Sequence, residues 1–189
     1  KNWTRAEKLA IESKQDTPYP KINLYQLMSI YHLYNSDYPQ YKEAAKKSME
    51  AVIKYDETGA LLQSVMSYIN ASMALGSSYH DEEILNLVSQ ITPASIRQSD
   101  PTSIASYGLM IWNIESDRKK ADKIIFKGLK TIEKAPVKFP RLYDDFIGYF
   151  ILTDRLVKAL EIAYLKLQFA NNLNDPAAKS ESYTMIGNI

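Results

Sequence analysis

The sequence predicts an all-α protein in which antiparallel helix pairs stack into a right-handed α-α superhelix. Three observations predict it: apolar residues recur at helical spacing, prolines fall between the helical segments, and one turn recurs along the chain. That turn is a polar residue followed by Asp, at Ser36-Asp37, His80-Asp81, Ser116-Asp117 and Thr153-Asp154. These Asp residues are 44, 36 and 37 residues apart. Such a period is typical of helical repeats, because a single helix pair cannot bury its apolar face alone.

Apolar residues follow helical periodicity through most of the chain. Near the carboxy terminus they step by three or four residues, at Leu156, Leu160, Ala163, Leu167 and Ala170. This spacing places them on one helix face, and the strict alternation of strands is absent. We therefore predict ten helices, over 3–14, 22–35, 40–55, 60–75, 81–90, 101–114, 118–134, 142–152, 155–172 and 176–189.

Proline residues mark where helices begin. Asp100-Pro101 and Asp175-Pro176 predict helix starts, since Asp accepts hydrogen bonds from free amides at the N-cap and Pro is tolerated at the first position. Thr92-Pro93 is a third candidate start. No linker or low-complexity stretch divides the chain, so we predict a single helical-repeat domain over residues 1–189.

Composition and charge exclude several classes of site. The 189 residues are 46% hydrophobic, and 23 Lys and Arg oppose 22 Asp and Glu for a net charge of +1. A near-neutral chain has no overall signature of nucleic-acid binding. The absence of Cys excludes disulfides, cysteine nucleophiles and cysteine zinc sites. No run reaches the ~18 apolar residues that a membrane-spanning helix needs.

The carboxy-terminal stretch contains the most specific motif. A polar-Asp turn precedes a helix that begins with Lys-Ala-Leu, and a second Asp turn precedes a helix with aromatic-x-x-Ile-Gly. The residues are Asp154, Lys158, Ala159, Leu160, Glu161, Tyr164, Leu167, Ala170, Asn174, Asp175, Ala178, Tyr183, Ile186 and Gly187. This pattern resembles the tetratricopeptide repeat (TPR), in the longer form found in bacterial sensor kinases, diguanylate cyclases and peptide-sensing regulators. Weaker copies begin at Ser36-Asp37 and Ser116-Asp117, and the Asp81 unit is nearly unrecognisable.

The resemblance implies about four to five TPR-like pairs and non-catalytic binding of a protein or peptide in a concave groove. In such arrays the first helix of each pair lines the groove. By resemblance, the groove candidates are Tyr68, Asn70, Trp112, Asn113, Asp145 and Tyr149. Packing between repeats is the alternative role for the aromatic residues. Asn70 and Asn113 distinguish groove lining from packing better than the aromatic residues do. A polar amide on a mostly apolar helix must face solvent or find a partner.

The resemblance also implies the sensory or regulatory region of a bacterial signalling protein. Ligand binding would then shift the curvature or dimer contacts of the solenoid and bias an output domain beyond Ile189. The chain starts without Met and stops within a helical pattern, so we expect a fragment of a longer protein. An assembly scaffold without a switching role is the alternative. A homodimer is left open, and the resemblance favours the periplasm over the cytoplasm.

The sequence contains no motif that predicts catalysis. His32 and His80 lack metal-ligand spacing, the glycines are isolated, and no Gly-x-Ser-x-Gly elbow occurs. Asp144 and Asp145 are adjacent, so on a helix their side chains diverge by about 100° and do not form a carboxylate pair. We therefore predict no enzyme activity, cofactor or metal, with a helical enzyme domain as the least favoured alternative.

One helix has a sharper charge pattern, which we call the lysine stripe: Lys120, Lys123, Lys127, Lys130 and Lys134. Steps of three and four residues place these side chains on one face, flanked by Arg118 and Lys119. The stripe could bind anionic lipid, nucleic acid or an acidic partner, or be a solvated face opposite Ile124 and Ile125. Nucleic acid is not expected, because the stripe itself lacks Arg and aromatic side chains.

Overall fold

The computed structural model describes residues 3–12, 19–134 and 143–189, and confirms an all-α protein in these ranges. The described helices are α1 (Trp3–Glu12), α2 (Tyr19–Tyr34), α3 (Tyr38–Lys54), α4 (Thr58–Ala74), α5 (Glu82–Ser89), α6 (Pro93–Gln98), α7 (Pro101–Glu115), α8 (Arg118–Lys134), α9 (Asp144–Leu152), α10 (Leu156–Asn172) and α11 (Pro176–Asn188). The predicted helical residues 13–14 and 142 lie outside the described ranges. None of the described helices is long and apolar enough to cross a bilayer.

The three predicted Pro-containing helix starts are confirmed. Asp100 Oδ1 accepts a hydrogen bond from the Ser103 amide at 3.0 Å, and Asp175 Oδ1 accepts one from the Ala178 amide at 3.0 Å. Thr92 begins α6, a short helix absent from the ten predicted ranges, through a reciprocal capping box with Ser95. In each case a side-chain oxygen satisfies an amide that has no partner within the helix.

One turn joins most successive helices. A residue in the left-handed region, with φ between 52° and 96°, follows six helices, at Ser36, Asp56, Gly76, Ser116, Asp154 and Asn174. At Ser36 two crossed hydrogen bonds close the turn, from Ser36 N to Leu33 O and from Asp37 N to His32 O. Four of the other turns repeat this Schellman pattern, and Ser116 has a single bond to Trp112 O. The chain thereby reverses within about three residues and starts an antiparallel helix.

The four predicted polar-Asp turns are not equivalent in the structure. Asp37 is the N-cap of the following helix, whereas Asp154 itself adopts the left-handed conformation. Asp81 is an N-cap with φ −64°, and the left-handed residue of that region is Gly76. Successive left-handed turns from Ser36 to Gly76 are 20 residues apart, as are Asp154 and Asn174. From Gly76 to Ser116 the spacing is 40 residues, and from Ser116 to Asp154 it is 38, so the left-handed turns recur at the length of one helix pair or half of it.

The helix contacts define two compact units, Lys1–Ser99 and Asp100–Ile189. In the first unit, α3 packs between α2 and α4, and α6 packs against α4. Its core includes Ala45, Val52, Leu62 and Val65, and the Ser48 and Ser64 hydroxyls share a buried hydrogen bond of 2.8 Å. The single-domain prediction for residues 1–189 stays a prediction.

In the second unit, α7 packs against α8 and α9, and α10 packs against α9 and α11. Two glycines permit the close approach of neighbouring helices. A Cβ on Gly108 would lie 2.8 Å from the Ile125 side chain, and one on Gly128 would lie 2.9 Å from Phe146 Cζ. The helices therefore pack as sequential antiparallel pairs.

The apolar face predicted for α10 is confirmed in part. Ala163, Leu167 and Ala170 are buried as predicted, whereas Leu156 is 42% exposed. The buried face consists of Ala159, Ile162, Ala163, Lys166, Leu167 and Ala170. It therefore includes a lysine.

Candidate functional site

The buried lysine of α10 connects three helices. Lys166 is 1% exposed, and its Nζ donates a hydrogen bond of 2.6 Å to Asp144 Oδ1 at the start of α9. The same Nζ lies 3.6 Å from Glu181 Oε2 and 3.8 Å from Met185 Sδ, both on α11. An ammonium removed from water costs several kcal/mol unless carboxylates compensate it. This pairing therefore fixes the positions of α9 and α11 relative to α10.

An open groove of about 510 Å³ lies beside this lysine. Its lining residues are Asp144, Lys166, Ser180, Glu181, Thr184 and Met185. The Asp144 and Glu181 side chains are 34% and 41% exposed, so their carboxylates are accessible from solvent. The two carboxylates and one ammonium give the lining a formal charge of −1. Apolar atoms form the larger part of the groove surface, and its polar atoms are carboxylate and hydroxyl oxygens and the Lys166 ammonium.

This arrangement is suited to recognising hydrogen-bond donors. Carboxylates accept bonds from backbone amides and from Lys or Arg side chains, and the charged bonds are the stronger. In the ranges that the structure describes, no group of three or more His, Asp or Glu side chains is placed to hold a metal ion.

The first unit contains two of the predicted groove residues. Tyr68 is buried on α4, and its hydroxyl donates a hydrogen bond of 2.5 Å to Glu83 Oε1. Lys42 Nζ lies 4.8 Å from the centre of the Tyr68 ring and 3.8 Å from Glu83 Oε2. Burial, followed by the hydrogen bond to Glu83, raises the pKa of Tyr68 to about 12. Asn70, on the same helix, is exposed to solvent.

The second unit contains a similar arrangement around Tyr149. This side chain is completely buried on α9, and its hydroxyl donates a hydrogen bond of 2.7 Å to Asp122 Oδ1. Arg155 Nη2 donates to the same oxygen at 2.7 Å, and its guanidinium lies 5.0 Å from the Tyr149 ring centre. Burial, followed by the hydrogen bond to Asp122, raises the pKa of Tyr149 to about 12. We call Tyr149, Asp122 and Arg155 the Tyr149 cluster.

The remaining predicted groove residues lie on α7 and α9. Asp145 accepts a hydrogen bond from the Ser106 hydroxyl, which joins the two helices. Burial raises the pKa of the Asp145 carboxyl, and the bond from Ser106 opposes that rise. Asn113 Nδ2 donates to Leu109 O of its own helix at 2.9 Å, and Trp112 is half-buried. The role of the six residues in a groove stays a prediction.

The adjacent carboxylates Asp144 and Asp145 diverge as predicted. Asp144 bonds to Lys166 on α10, whereas Asp145 bonds to Ser106 on α7. Because each carboxylate has a separate partner on a different helix, they do not act as a pair.

The lysine stripe is only partly solvated. Lys123 and Lys130 are exposed, Lys127 is half-buried, and Lys120 Nζ pairs with Glu115 Oε1 at 2.5 Å. The side chain of Lys134 lies outside the described residues. Binding by the stripe stays a prediction.

The residues around Lys166 were missed by sequence reasoning. One sequence signal could have found them: the helical spacing of Lys166 places it on the same face as Ala159, Ala163 and Ala170. That face is buried, so the spacing places an ammonium in the interior. The partners are 22 and 15 residues away in sequence, at Asp144 and Glu181. Only the packing of α9 and α11 against α10 identifies them.

No protein-family model, curated protein or solved structure matches this chain. The class that the fold defines is an all-α protein of sequential antiparallel helix pairs. Function is therefore inferred from the residues and their geometry.

Proposed function

We propose that this chain is a non-catalytic helical-repeat domain that binds a protein or peptide. The recurring module, a helix closed by a left-handed turn, supports the sequential pairing of helices. The TPR-like, right-handed stacking of these pairs is proposed from the resemblance. In such an arrangement each pair supplies a surface strip, and binding uses side chains of several successive helices.

The groove beside Lys166 is the observation on which the proposal rests. It is open along α11, and Ser180, Thr184 and Glu181 present polar atoms to it. Small-molecule sites are usually enclosed. An open groove that contains carboxylate and hydroxyl oxygens instead fits an extended polypeptide, whose backbone amides and basic side chains donate hydrogen bonds.

The pairing of Lys166 makes this groove preformed. Asp144 and Glu181 are both within 3.6 Å of its ammonium, so the walls contributed by α9 and α11 are fixed before a ligand arrives. Binding to a preformed surface loses less conformational entropy than binding to one that must be ordered.

The proposal is tested by selecting peptides from a random phage-displayed library on the full chain. Enriched peptides are then titrated against wild type, Thr184→Arg in the groove, and Gln168→Arg on the exposed face of α10. Both substitutions add one positive charge. We expect Thr184→Arg to weaken binding by about tenfold or more, because an Arg fills the groove and occupies its carboxylates. Gln168→Arg should bind as wild type. Equal affinity for all three proteins would contradict the proposal.

From the resemblance alone, we further propose that binding regulates an attached output domain. Such regulation requires a ligand to favour one of two conformations. Hydrogen exchange of the chain with and without a selected peptide tests this. Altered protection beyond the groove, for example in α7 or α8, supports a switch, whereas protection confined to α9–α11 supports a scaffold.

A further inference from the structure

Positive charge is concentrated on a single helix. The α8 helix contains seven of the 23 basic residues and two of the 22 acidic ones, a formal charge of +5, which leaves the rest of the chain at −4. The net charge of +1 for the whole chain does not reveal this difference between α8 and the remaining residues. A local field of one sign attracts partners of the opposite sign over about 10 Å at moderate ionic strength.

Three of these lysines have no partner among the residues that the structure describes. Within the described part of the chain, the side chains of Lys119, Lys123 and Lys130 make no ion pair or hydrogen bond, and all three are exposed. By contrast, Lys120 pairs with Glu115. Exposed ammonium groups of this kind are accessible to an anionic partner.

An exposed aromatic ring lies among the same lysines. Phe126 is 40% exposed and follows Lys123 by three residues and precedes Lys130 by four. At 100° per residue, Lys119, Lys123, Phe126 and Lys130 fall within about 60° of the helix circumference. We call these four residues the α8 docking face. Asp122, at the edge of this arc, is engaged by Tyr149 and Arg155.

The rest of α8 restricts how this face can bind. Ile125 and Ala121 are completely buried, so the helix cannot turn its apolar side outward without unfolding the unit. Three exposed lysines on one side of a helix can contact a flat surface together. Lysine is a compact, non-directional charge, which suits a field of mobile anions rather than a single bidentate phosphate.

We propose that the α8 docking face binds the surface of an anionic lipid bilayer, with its lysines at the headgroups and Phe126 at the interface. Charge complementarity favours this occupant: each lysine near an anionic membrane strengthens binding by about fivefold, and aromatic rings are favoured at the membrane–water interface. The binding is peripheral and separate from the groove beside Lys166.

The test is co-sedimentation of the full chain with phosphatidylcholine vesicles, with and without phosphatidylserine. The chain should bind only the phosphatidylserine vesicles, and added salt should release it. The triple substitution Lys119→Gln, Lys123→Gln and Lys130→Gln should weaken this partition by roughly 100-fold, from the fivefold contribution of each lysine.

A matched control removes the same charge elsewhere. Lys46→Gln, Lys54→Gln and Lys179→Gln change residues of α3 and α11, and this variant should bind far more tightly than the α8 variant. Replacing the three α8 lysines with Arg should preserve binding, which separates charge from folding defects. Failure of wild type to bind phosphatidylserine vesicles overturns the proposal, as does an equal loss in both glutamine variants. Wild-type binding to polyglutamate but not to vesicles assigns the face to an acidic polypeptide instead.

Discussion

The Tyr149 hydroxyl donates a hydrogen bond of 2.7 Å to Asp122 Oδ1, which joins α9 to α8 within the second unit. Arg155 completes this Tyr149 cluster by bonding to the same carboxylate and lying over the tyrosine ring. Tyr68, Glu83 and Lys42 repeat the arrangement in the first unit. In both units a buried tyrosine thus connects helices through a carboxylate that a cation also contacts.

Removing the Tyr149 hydroxyl should destabilise the protein. Tyr149→Phe keeps the ring but deletes the bond to Asp122, and we expect a loss of about 1–2 kcal/mol in the free energy of unfolding. Urea denaturation followed by circular dichroism measures it. Tyr164→Phe, at a tyrosine 57% exposed, is the matched control and should change stability by less than about 0.5 kcal/mol. Equal stability of both variants and wild type would show that the hydroxyl contributes nothing.

The same tyrosine predicts a loss of stability at alkaline pH. Its pKa is raised from 10.0 to about 12 in the fold, so the unfolded chain releases the proton first as the pH rises. This contribution is complete below pH 10 and decreases between pH 10 and 12, by up to about 1.4 kcal/mol per pH unit. Tyr149→Phe should therefore lose less stability than wild type over this range. Parallel pH profiles for the two proteins would contradict the assignment.

Removing Asp144 and removing Lys166 should lower the free energy of unfolding by different amounts. Asp144→Ala leaves a buried ammonium with only Glu181 nearby, and we expect a loss of about 2–4 kcal/mol. Lys166→Met replaces the ammonium with an apolar chain of similar length and leaves a carboxylate that is 34% exposed, so the loss should be smaller. Chemical denaturation of both variants measures the difference.

The exposed pair Lys158 and Glu161 provides the control for that comparison. Their charged atoms are 2.6 Å apart, but the side chains are 43% and 55% exposed. Glu161→Ala should therefore cost less than about 1 kcal/mol. A cost for Asp144→Ala no greater than that for Glu161→Ala would mean that burial of Lys166 has no energetic consequence.

Two glycine substitutions should change the stability of the fold in opposite directions. In Gly108→Ala, the new Cβ lies 2.8 Å from Ile125, and overpacking should cost about 1–3 kcal/mol. In Gly148→Ala, no atom lies within 4 Å of the new Cβ, and the higher helix propensity of Ala should stabilise α9 by about 0.5–1 kcal/mol. Thermal melting of the two variants distinguishes them. A stabilising Gly108→Ala would contradict the close packing of α7 against α8.

Local sequence signals predicted the helices. Contacts between residues far apart in sequence could not be predicted in this way. Asp100 and Asp175 mark helix starts because their hydrogen-bond partners are three residues away. The left-handed turns were harder to place, because Ser, Asp, Asn and Gly all occupy them. The contacts of Lys166 and of the Tyr149 cluster could not be predicted from the sequence, since they join residues 15 to 33 positions apart.

Helical spacing alone placed the apolar face of α10 only in part. Leu156 and Leu160 fit a three-to-four spacing, yet the buried face extends to Ala159 and Lys166 beside the predicted Ala163, Leu167 and Ala170. Hydrophobicity alone favours leucine as the inward residue. The structure buries an ammonium there because Asp144 and Glu181 compensate it.

The most direct test of groove binding is a chemical-shift titration of the isotope-labelled chain with a peptide selected on wild type. The groove proposal predicts that the largest amide shifts occur along α11 between Ser180 and Met185, and at Lys166. It also predicts that Thr184→Arg requires about tenfold more peptide, or more, to produce these shifts, whereas Gln168→Arg titrates as wild type. Shifts confined to the first unit, or unchanged by Thr184→Arg, would contradict recognition in this groove.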